Sequence, residues 1–301
     1  MTNVLQQPWR KSVLTGAMFA GLVFAAIGAP PSAATTNQVP EFYLALGGSG
    51  SVGVQPTTAV PRGQPTNRGY ANDLLDMERT SSPDLRLVKL GCPGETTITM
   101  LAGGAHCHYR SGSELSAALA FLHRHPSTVL VTLDLGFNNV RACMAHHVVN
   151  QPCVSEALAV VKLQLTSILT QLRSAAPPGM RIIGVGHYDP YLGDYLKGAA
   201  GRTFASQSLD VITRLNDALR STYAAAGVPM ADVGAAFDSS DTDPTTLAGV
   251  GTVPEDVART CALTWMCTPA PLGPNPHPND AGYHAIAEAI SQVIVAEGPL
   301  H

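Results

Sequence analysis

Residues 41–53, EFYLALGGSGSVG, join an apolar run to a glycine-rich turn. The run 41–46 predicts a buried β-strand, and the glycines after it allow the backbone to bend sharply. The turn presents Ser49 between two glycines. The carboxyl end of a strand is where α/β folds place their sites, so this turn is the first candidate for chemistry.

The turn also contains a formal GxGxxG pattern at Gly48, Gly50 and Gly53. A dinucleotide site would need a helix to begin there, with its N-terminus facing the pyrophosphate. The segment 55–65 contains Pro56, Pro61 and Pro65 and therefore cannot form a continuous helix. No second strand ends in an acidic residue at the expected distance. The sequence therefore disfavours a nucleotide site.

Further apolar runs alternate with amphipathic stretches along the rest of the chain. The runs predict strands over 85–90, 128–135, 180–186 and 229–233, and the amphipathic stretches predict helices over 113–125, 154–175, 206–226 and 281–295. This alternation indicates βαβ units and a parallel sheet covered on both faces. The predicted fold class is α/β, a three-layer α/β/α sandwich with a mostly parallel, flavodoxin-like sheet.

The N-terminus has the pattern of a secretory signal peptide. Arg10 and Lys11 precede an uncharged apolar run over 13–29, and small residues follow at 32–34. We expect cleavage after Ala34, a single domain over 35–301 and a secreted or cell-envelope location. The alternative is a retained membrane anchor. Cleavage would remove two positive charges and change the net charge from -4 to -6, which leaves nothing basic enough for nucleic acid.

Six cysteines in an exported chain favour disulfides. They fall into three local couples, so we predict the pairs Cys92–Cys107, Cys143–Cys153 and Cys261–Cys267. A zinc site is the rival interpretation, because His106 and His108 flank Cys107. No CxxC spacing supports it, so we expect no metal and no cofactor.

A serine nucleophile needs a base and donors aimed at the developing oxyanion. Three later segments supply candidates. Backbone N–H groups occur in the glycine turn 91–97, an amide side chain in the turn Gly136-Phe-Asn-Asn139, and a histidine in His277-Pro-Asn-Asp-Ala-Gly-Tyr283, just before the last predicted helix. All four segments would meet at one edge of the sheet.

This ordered set resembles the SGNH hydrolase superfamily, also called the GDSL esterases and lipases, across almost the whole mature chain. The resemblance implies that Ser49 is the nucleophile and His277 the general base. It places Gly94 N–H and the Asn138 side chain, with Ser49 N–H, in the oxyanion hole. The segments Tyr188-Asp-Pro190 and Thr264-Trp-Met-Cys267 are similar to exported actinobacterial members.

Three positions depart from the family pattern. Gly48 stands where the family has an aspartate, and Asn139 replaces the aspartate of the third block. Pro274 replaces the acid three residues before the histidine. Some members without this acid orient the histidine with a main-chain carbonyl, which would here come from residues 273–275. The resemblance thus implies a Ser–His dyad.

Several polar residues near these segments can be explained by structural roles alone. Ser51 is the nearest rival nucleophile, but it occupies a supporting position of the family and is expected to make a local hydrogen bond. Asp189 could be a triad acid, although its place after the fourth strand favours a structural role. Asn138 and Asn139 could simply form a turn.

The predicted function is hydrolysis of a carboxylic ester by a monomer, through an acyl-enzyme on Ser49. The substrate would be a small-molecule, lipid or glycan ester, with the membrane or cell envelope as a possible setting. Two alternatives remain. One is an acyltransferase or deacylase acting on cell-envelope glycans, and the other is a catalytically weakened binding protein with the same fold.

Overall fold

The structure is a computed structural model, and it describes residues 40–104 and 106–300. The predicted signal peptide, residues 1–34, lies outside the described residues.

Five parallel strands form the central sheet in the order β2-β1-β3-β4-β5. Their bounds are β1 Phe42–Gly47, β2 Arg86–Lys89, β3 Thr128–Asp134, β4 Arg181–Val185 and β5 Met230–Ala231. Each strand falls within one residue or two of its predicted run. This order reverses direction beside β1, the arrangement of flavodoxin-like sheets, and it leaves a crevice at the carboxyl ends of β1 and β3. The predicted fold class is confirmed.

Strand β1 shows why the sheet is covered on both faces. Leu44 and Leu46 point into one apolar cluster, whereas Tyr43 and Ala45 point into the other. All four side chains are fully buried. Successive side chains of a strand alternate between faces, so a strand that is apolar at every position needs cover on both sides.

Nine α-helices and two short 3-10 helices, Ala142–His147 and Pro190–Lys197, occur in the described residues; the α-helices are numbered here. They are α1 Tyr70–Glu78, α2 Thr97–Ala102, α3 Glu114–Arg124, α4 Phe137–Arg141, α5 Gln151–Ala175, α6 Gly198–Ala225, α7 Val233–Ala236, α8 Glu255–Leu263 and α9 Asp280–Glu297. Helices α2, α3, α5 and α6 cover one face of the sheet, and α1 and α9 cover the other. Helix α5 is long and apolar enough to cross a membrane, but one side of it is buried against the core, as in a core helix of a globular domain.

The main errors of the sequence prediction concern short elements. Helices α1, α2, α4, α7 and α8 were not predicted, nor was the antiparallel hairpin of β6 Pro244–Leu247 and β7 Gly251–Pro254. Helix α6 begins at Gly198 rather than at residue 206. Its first turn contains Gly201, which suggests a break in the sequence, but a Cβ there would lie 2.0 Å from Asp194 O. The glycine permits a close approach within a continuous helix.

Three disulfides join Cys92 to Cys107, Cys143 to Cys153 and Cys261 to Cys267. These are the pairs that local spacing predicts. The first and third border the segments that carry Gly94 and His277, so both bonds restrain loops at the candidate site. Cys107 is thereby unavailable to the zinc site considered as a rival.

Candidate active site

Ser49 lies on a sharp turn at the carboxyl end of β1, residues 47–53, which we call the nucleophile turn after its predicted role. Gly47 has φ +112, and a Cβ at this position would lie 1.9 Å from Asp134 O on the neighbouring strand. Gly48 N–H donates to the same Asp134 carbonyl at 2.7 Å. Only glycine allows this approach and this backbone conformation. The turn is therefore anchored to β3, and Ser49 faces the crevice.

A buried carboxyl group also holds this turn in place. Glu114, the first residue of α3, accepts a hydrogen bond from Gly47 N–H at 2.6 Å. Burial raises the pKa of Glu114 well above its usual value. This contact could not be predicted from the sequence, because an acidic residue in the first turn of a helix is ordinarily explained by the helix dipole.

Ser51, the rival nucleophile, is fully buried, and its hydroxyl donates to Gly48 O at 2.7 Å. The space around it is closed: a Cβ on Gly91 would lie 1.8 Å from Ser51 Oγ. Ser51 therefore braces the turn, whereas Ser49 lines the open space above it.

Two backbone N–H groups beside Ser49 are free to bind an oxyanion. Among the described residues, neither Ser49 N–H nor Gly94 N–H donates to any acceptor. Gly94 has φ +85 and lies exposed on the same open space as Ser49. Unpaired donors of this kind are what an oxyanion hole requires.

The two neighbouring asparagines have different roles. Asn138 lines the space around Ser49, and its Nδ2 donates to Glu95 O at 3.0 Å, which leaves its second amide hydrogen available. Asn139 instead holds the start of α2. Its Oδ1 accepts from Thr97 N–H at 3.1 Å, and its Nδ2 donates to Thr97 Oγ1 at 3.0 Å. Asn138 is thus the candidate oxyanion donor.

The replacement of the family's aspartate by Gly48 changes the contacts of Asn138. A Cβ built on Gly48 would lie 3.3 Å from Asn138 Nδ2, so a side chain at this position would face the amide. Here the carbonyl of Glu95 orients the amide instead. The candidate oxyanion donor Asn138 is therefore held in place, although not by the residue that the family pattern predicts.

His277 lies on a loop, residues 264–279, which we call the histidine loop. Trp265 N–H donates to His277 O at 3.1 Å, and Asn275 N–H donates to Trp265 O at 3.1 Å. The Cys261–Cys267 disulfide closes the base of this loop. Trp265 also donates from its indole Nε1 to Gln55 Oε1 at 3.2 Å, which ties the loop to the segment after the nucleophile turn.

The side chain of Asn275 fixes the orientation of His277. Its Oδ1 lies 2.7 Å from His277 Nδ1 and also accepts from His277 N–H at 3.1 Å. Its Nδ2 donates to Pro61 O at 3.0 Å. The expectation that a main-chain carbonyl of residues 273–275 holds Nδ1 is therefore wrong, because the side-chain carbonyl of Asn275 occupies that place.

This hydrogen-bond network also determines the tautomer of His277. A backbone N–H can only donate, so the Asn275 atom that it contacts must be the oxygen. The Nδ1 atom facing this oxygen must then carry a proton. The neutral imidazole consequently has its lone pair on Nε2, which is the atom a general base uses.

The electrostatic surroundings keep His277 neutral. Burial of the imidazole lowers the pKa of His277 to about 4, and the nearby positive charge of Arg141 acts in the same direction. A neutral amide partner does not stabilise an imidazolium as a carboxylate would. The imidazole is therefore in its neutral form throughout the physiological pH range.

Other carboxylates near the site make different contacts. Asp189 is fully buried and accepts from Ser208 Oγ at 2.6 Å and from Tyr191 N–H at 2.9 Å, which is a structural role. Asp134 Oδ1 lies 3.7 Å from His187 Nδ1, behind the nucleophile turn. Within the described residues, no group of three His, Cys, Asp or Glu side chains has the arrangement of a metal site.

Two spaces meet at the candidate catalytic residues. A small inner cavity of about 70 Å³ lies behind Ser49, and an open outer cleft of about 800 Å³ lies in front of it. The linings of the two spaces have five residues in common, which are Ser49, Asn138, Arg141, Pro276 and His277. The fold thus brings together the residues that the sequence predicts, while Glu114 and Asn275 are additions from the structure.

A flavodoxin-like sheet with a serine turn, free N–H donors and a histidine at one edge defines an α/β serine hydrolase. The family model described as GDSL-like Lipase/Acylhydrolase family matches residues 45–285. The chain belongs to this family and is an ester hydrolase of the SGNH type.

Solved structures with the same fold include a phospholipase A1 from Streptomyces albidoflavus NA297, with a TM-score of 0.54 and 19% identity. They also include an extracellular lipase from Streptomyces rimosus, with a TM-score of 0.54 and 17% identity. In both comparisons, 84% of this chain aligns with 99% of the other. The comparison with curated proteins found no match.

Proposed function

We propose that this protein hydrolyses carboxylic esters through an acyl-enzyme on Ser49, with His277 as the general base and Asn275 as its orienting partner. The observation that carries the proposal is the hydrogen bond between His277 Nδ1 and Asn275 Oδ1. It leaves Nε2 unprotonated in the space that Ser49 also lines. This is a dyad whose usual acid is replaced by a neutral amide.

The reaction begins when His277 Nε2 takes the proton of Ser49 Oγ as the oxygen attacks the ester carbonyl. In the described structure the Ser49 hydroxyl makes no hydrogen bond. Catalytic hydrogen bonds commonly shorten only when substrate is bound, so we expect the Ser49 hydroxyl to donate to Nε2 in the substrate complex.

Negative charge then develops on the carbonyl oxygen. Ser49 N–H, Gly94 N–H and Asn138 Nδ2 are the proposed donors to it. The bond to the alcohol breaks as His277 returns its proton to the leaving oxygen. A water molecule, activated by the same Nε2, attacks the acyl-enzyme and releases the acid, which regenerates Ser49.

We also propose that the protein is exported after removal of residues 1–34 and acts as a single domain. The arginine and lysine before the apolar run support this, as do the three disulfides.

The direct test is Ser49→Ala, measured as turnover of a short-chain nitrophenyl ester. We expect a loss of about 10⁴-fold or more, because the nucleophile has no substitute. Ser51→Ala is the matched comparison, since it removes a hydroxyl two residues away. Turnover that survives in Ser49→Ala but disappears in Ser51→Ala would identify Ser51 as the nucleophile instead. An unchanged far-ultraviolet circular dichroism spectrum shows that each variant is folded.

A further inference from the structure

The inner cavity and the outer cleft differ in shape, and the reacting bond would lie where they meet. An ester has two parts, an acyl chain and an alcohol. With Ser49 and His277 at the junction, each space can receive one of these parts.

The inner cavity suits the acyl chain. Its walls include the apolar side chains of Phe137, Val185, Val233 and Ile286. Its volume of about 70 Å³ accommodates a chain of only a few carbons. Glu95 and Asp134 also line the cavity, together with Arg141, so its charged groups are of both signs and favour no anionic acyl chain.

The outer cleft differs from the inner cavity because it contains no acidic side chain. Arg62, Arg141 and the basic side chain of His106 line it, and none of its lining residues is an aspartate or a glutamate. The protein as a whole has a net charge of -4, so a cleft that contains arginines and no acidic residue is not expected from the overall composition.

The two arginines of the cleft are electrostatically available. Among the described residues, neither Arg62 nor Arg141 has a carboxylate within salt-bridge distance. Arg68, on the same loop as Arg62, is instead paired with Asp280 at 2.9 Å. Tyr191 lies beside Arg141, but a phenol is neutral and leaves the charge of the guanidinium uncompensated.

The position of Arg62 identifies the part of the substrate that it would meet. Asn275 Nδ2 donates to Pro61 O, so Arg62 follows a residue that is bonded to the histidine loop. His277 returns its proton to the leaving alcohol. The part of the outer cleft next to the histidine loop is therefore where the alcohol would bind. Arg141 also lines this cleft, and it lies one helical turn after Asn138, the candidate oxyanion donor.

From these observations we infer that the substrate is a short-chain ester of an alcohol that carries a negatively charged group, bound by Arg62 and Arg141. The charged group is a phosphate, sulfate or carboxylate, since guanidinium groups bind all three through paired hydrogen bonds. This inference rests on the proposed function. It identifies the arginines as specificity-determining residues of that site.

The test compares two esters with the same acyl group, para-sulfophenyl acetate and its neutral analogue para-(methylsulfonyl)phenyl acetate. For each enzyme, the ratio of the two kcat/KM values cancels effects common to both substrates. We expect Arg141→Gln and Arg62→Gln each to lower the ratio of anionic to neutral ester about five- to tenfold, through KM for the sulfonate. The double variant should lower the ratio further, and Arg141→Lys should restore part of it.

Arg124→Gln is the matched control, since it removes one exposed positive charge from the last residue of α3, at the opposite edge of the sheet. It should leave the ratio unchanged, and added sodium chloride should lower the ratio of the wild-type enzyme. A ratio that stays constant in Arg62→Gln, Arg141→Gln and the double variant would overturn the inference. The proposed function would still stand if the wild-type enzyme hydrolyses either ester, and it fails separately if Ser49→Ala retains that activity.

Discussion

The nucleophile turn and the histidine loop hold their residues by different means. The turn is fixed by backbone contacts with the sheet, where Gly48 N–H bonds to Asp134 O, and by Glu114 beneath it. The histidine loop belongs to no strand or helix, and it is held by a disulfide and by the side chain of Asn275. The position of Ser49 thus depends on the sheet, whereas the orientation of His277 depends on one neutral side chain.

This difference has a consequence for catalysis. A carboxylate beside His277 would stabilise the imidazolium formed during proton transfer, but an amide fixes only the tautomer and the ring orientation. The site therefore gains a base that stays neutral at low pH and loses some driving force for proton transfer. Substitutions at position 275 should reveal both effects, while leaving the nucleophile turn intact.

Among substitutions in the histidine loop, the largest effect is expected for Asn275→Ala, which removes the partner of His277 Nδ1. The imidazole could then adopt either tautomer and rotate, so kcat/KM should fall about 10- to 100-fold. Asn279→Ala is the matched control on the same loop. Its side chain caps α9 by accepting from Gly282 N–H at 3.0 Å, so it should cost about 1 kcal/mol of stability with a smaller change in rate. Equal losses of rate in the two variants would show that Asn275 acts only by stabilising the loop.

A smaller effect, but a more specific one, is expected in the pH dependence of kcat/KM. Since the pKa of His277 is lowered to about 4, the neutral base persists into acidic solution. The rate should rise as the pH passes about 4 rather than through the range near 6.5 of an ordinary histidine.

Asn275→Asp should move this acid limb upward by about one pH unit or more, because a carboxylate beside the imidazole favours its charged form. An acid limb that is the same in wild type and Asn275→Asp would mean that residue 275 does not contact the base during turnover.

The sequence predicted the sheet well because its central strands β1, β3 and β4 are apolar and buried at most positions. It also singled out Ser49, Asn138 and His277, which line one space in the fold, but it did so only through the resemblance to a family, and their catalytic roles stay predictions. The residues alone left a nucleotide loop and a nucleophile turn both open until the prolines after residue 55 excluded a helix. Asn138 and Asn139 could be distinguished only by their partners, Glu95 O and Thr97.

The supporting contacts of Glu114 and Asn275 could not be predicted from the sequence, for a physical reason. Glu114 and Gly47 are separated by 67 residues, and neither residue type signals the other. Asn275 lies two residues before the histidine, yet an asparagine between prolines is typical of an ordinary turn. Whether the side chain or the main chain faces Nδ1 depends on the path of the loop, and contacts with Trp265 and Pro61 set that path.

The central claim is that Ser49 is a nucleophile activated by His277. Labelling with a fluorophosphonate, followed by mass spectrometry of the digested protein, tests it most directly. We predict one adduct in the wild-type enzyme, located on Ser49, with no adduct in Ser49→Ala and slower labelling in Asn275→Ala. An adduct on another serine, or a folded wild-type protein that stays unlabelled, would contradict the account.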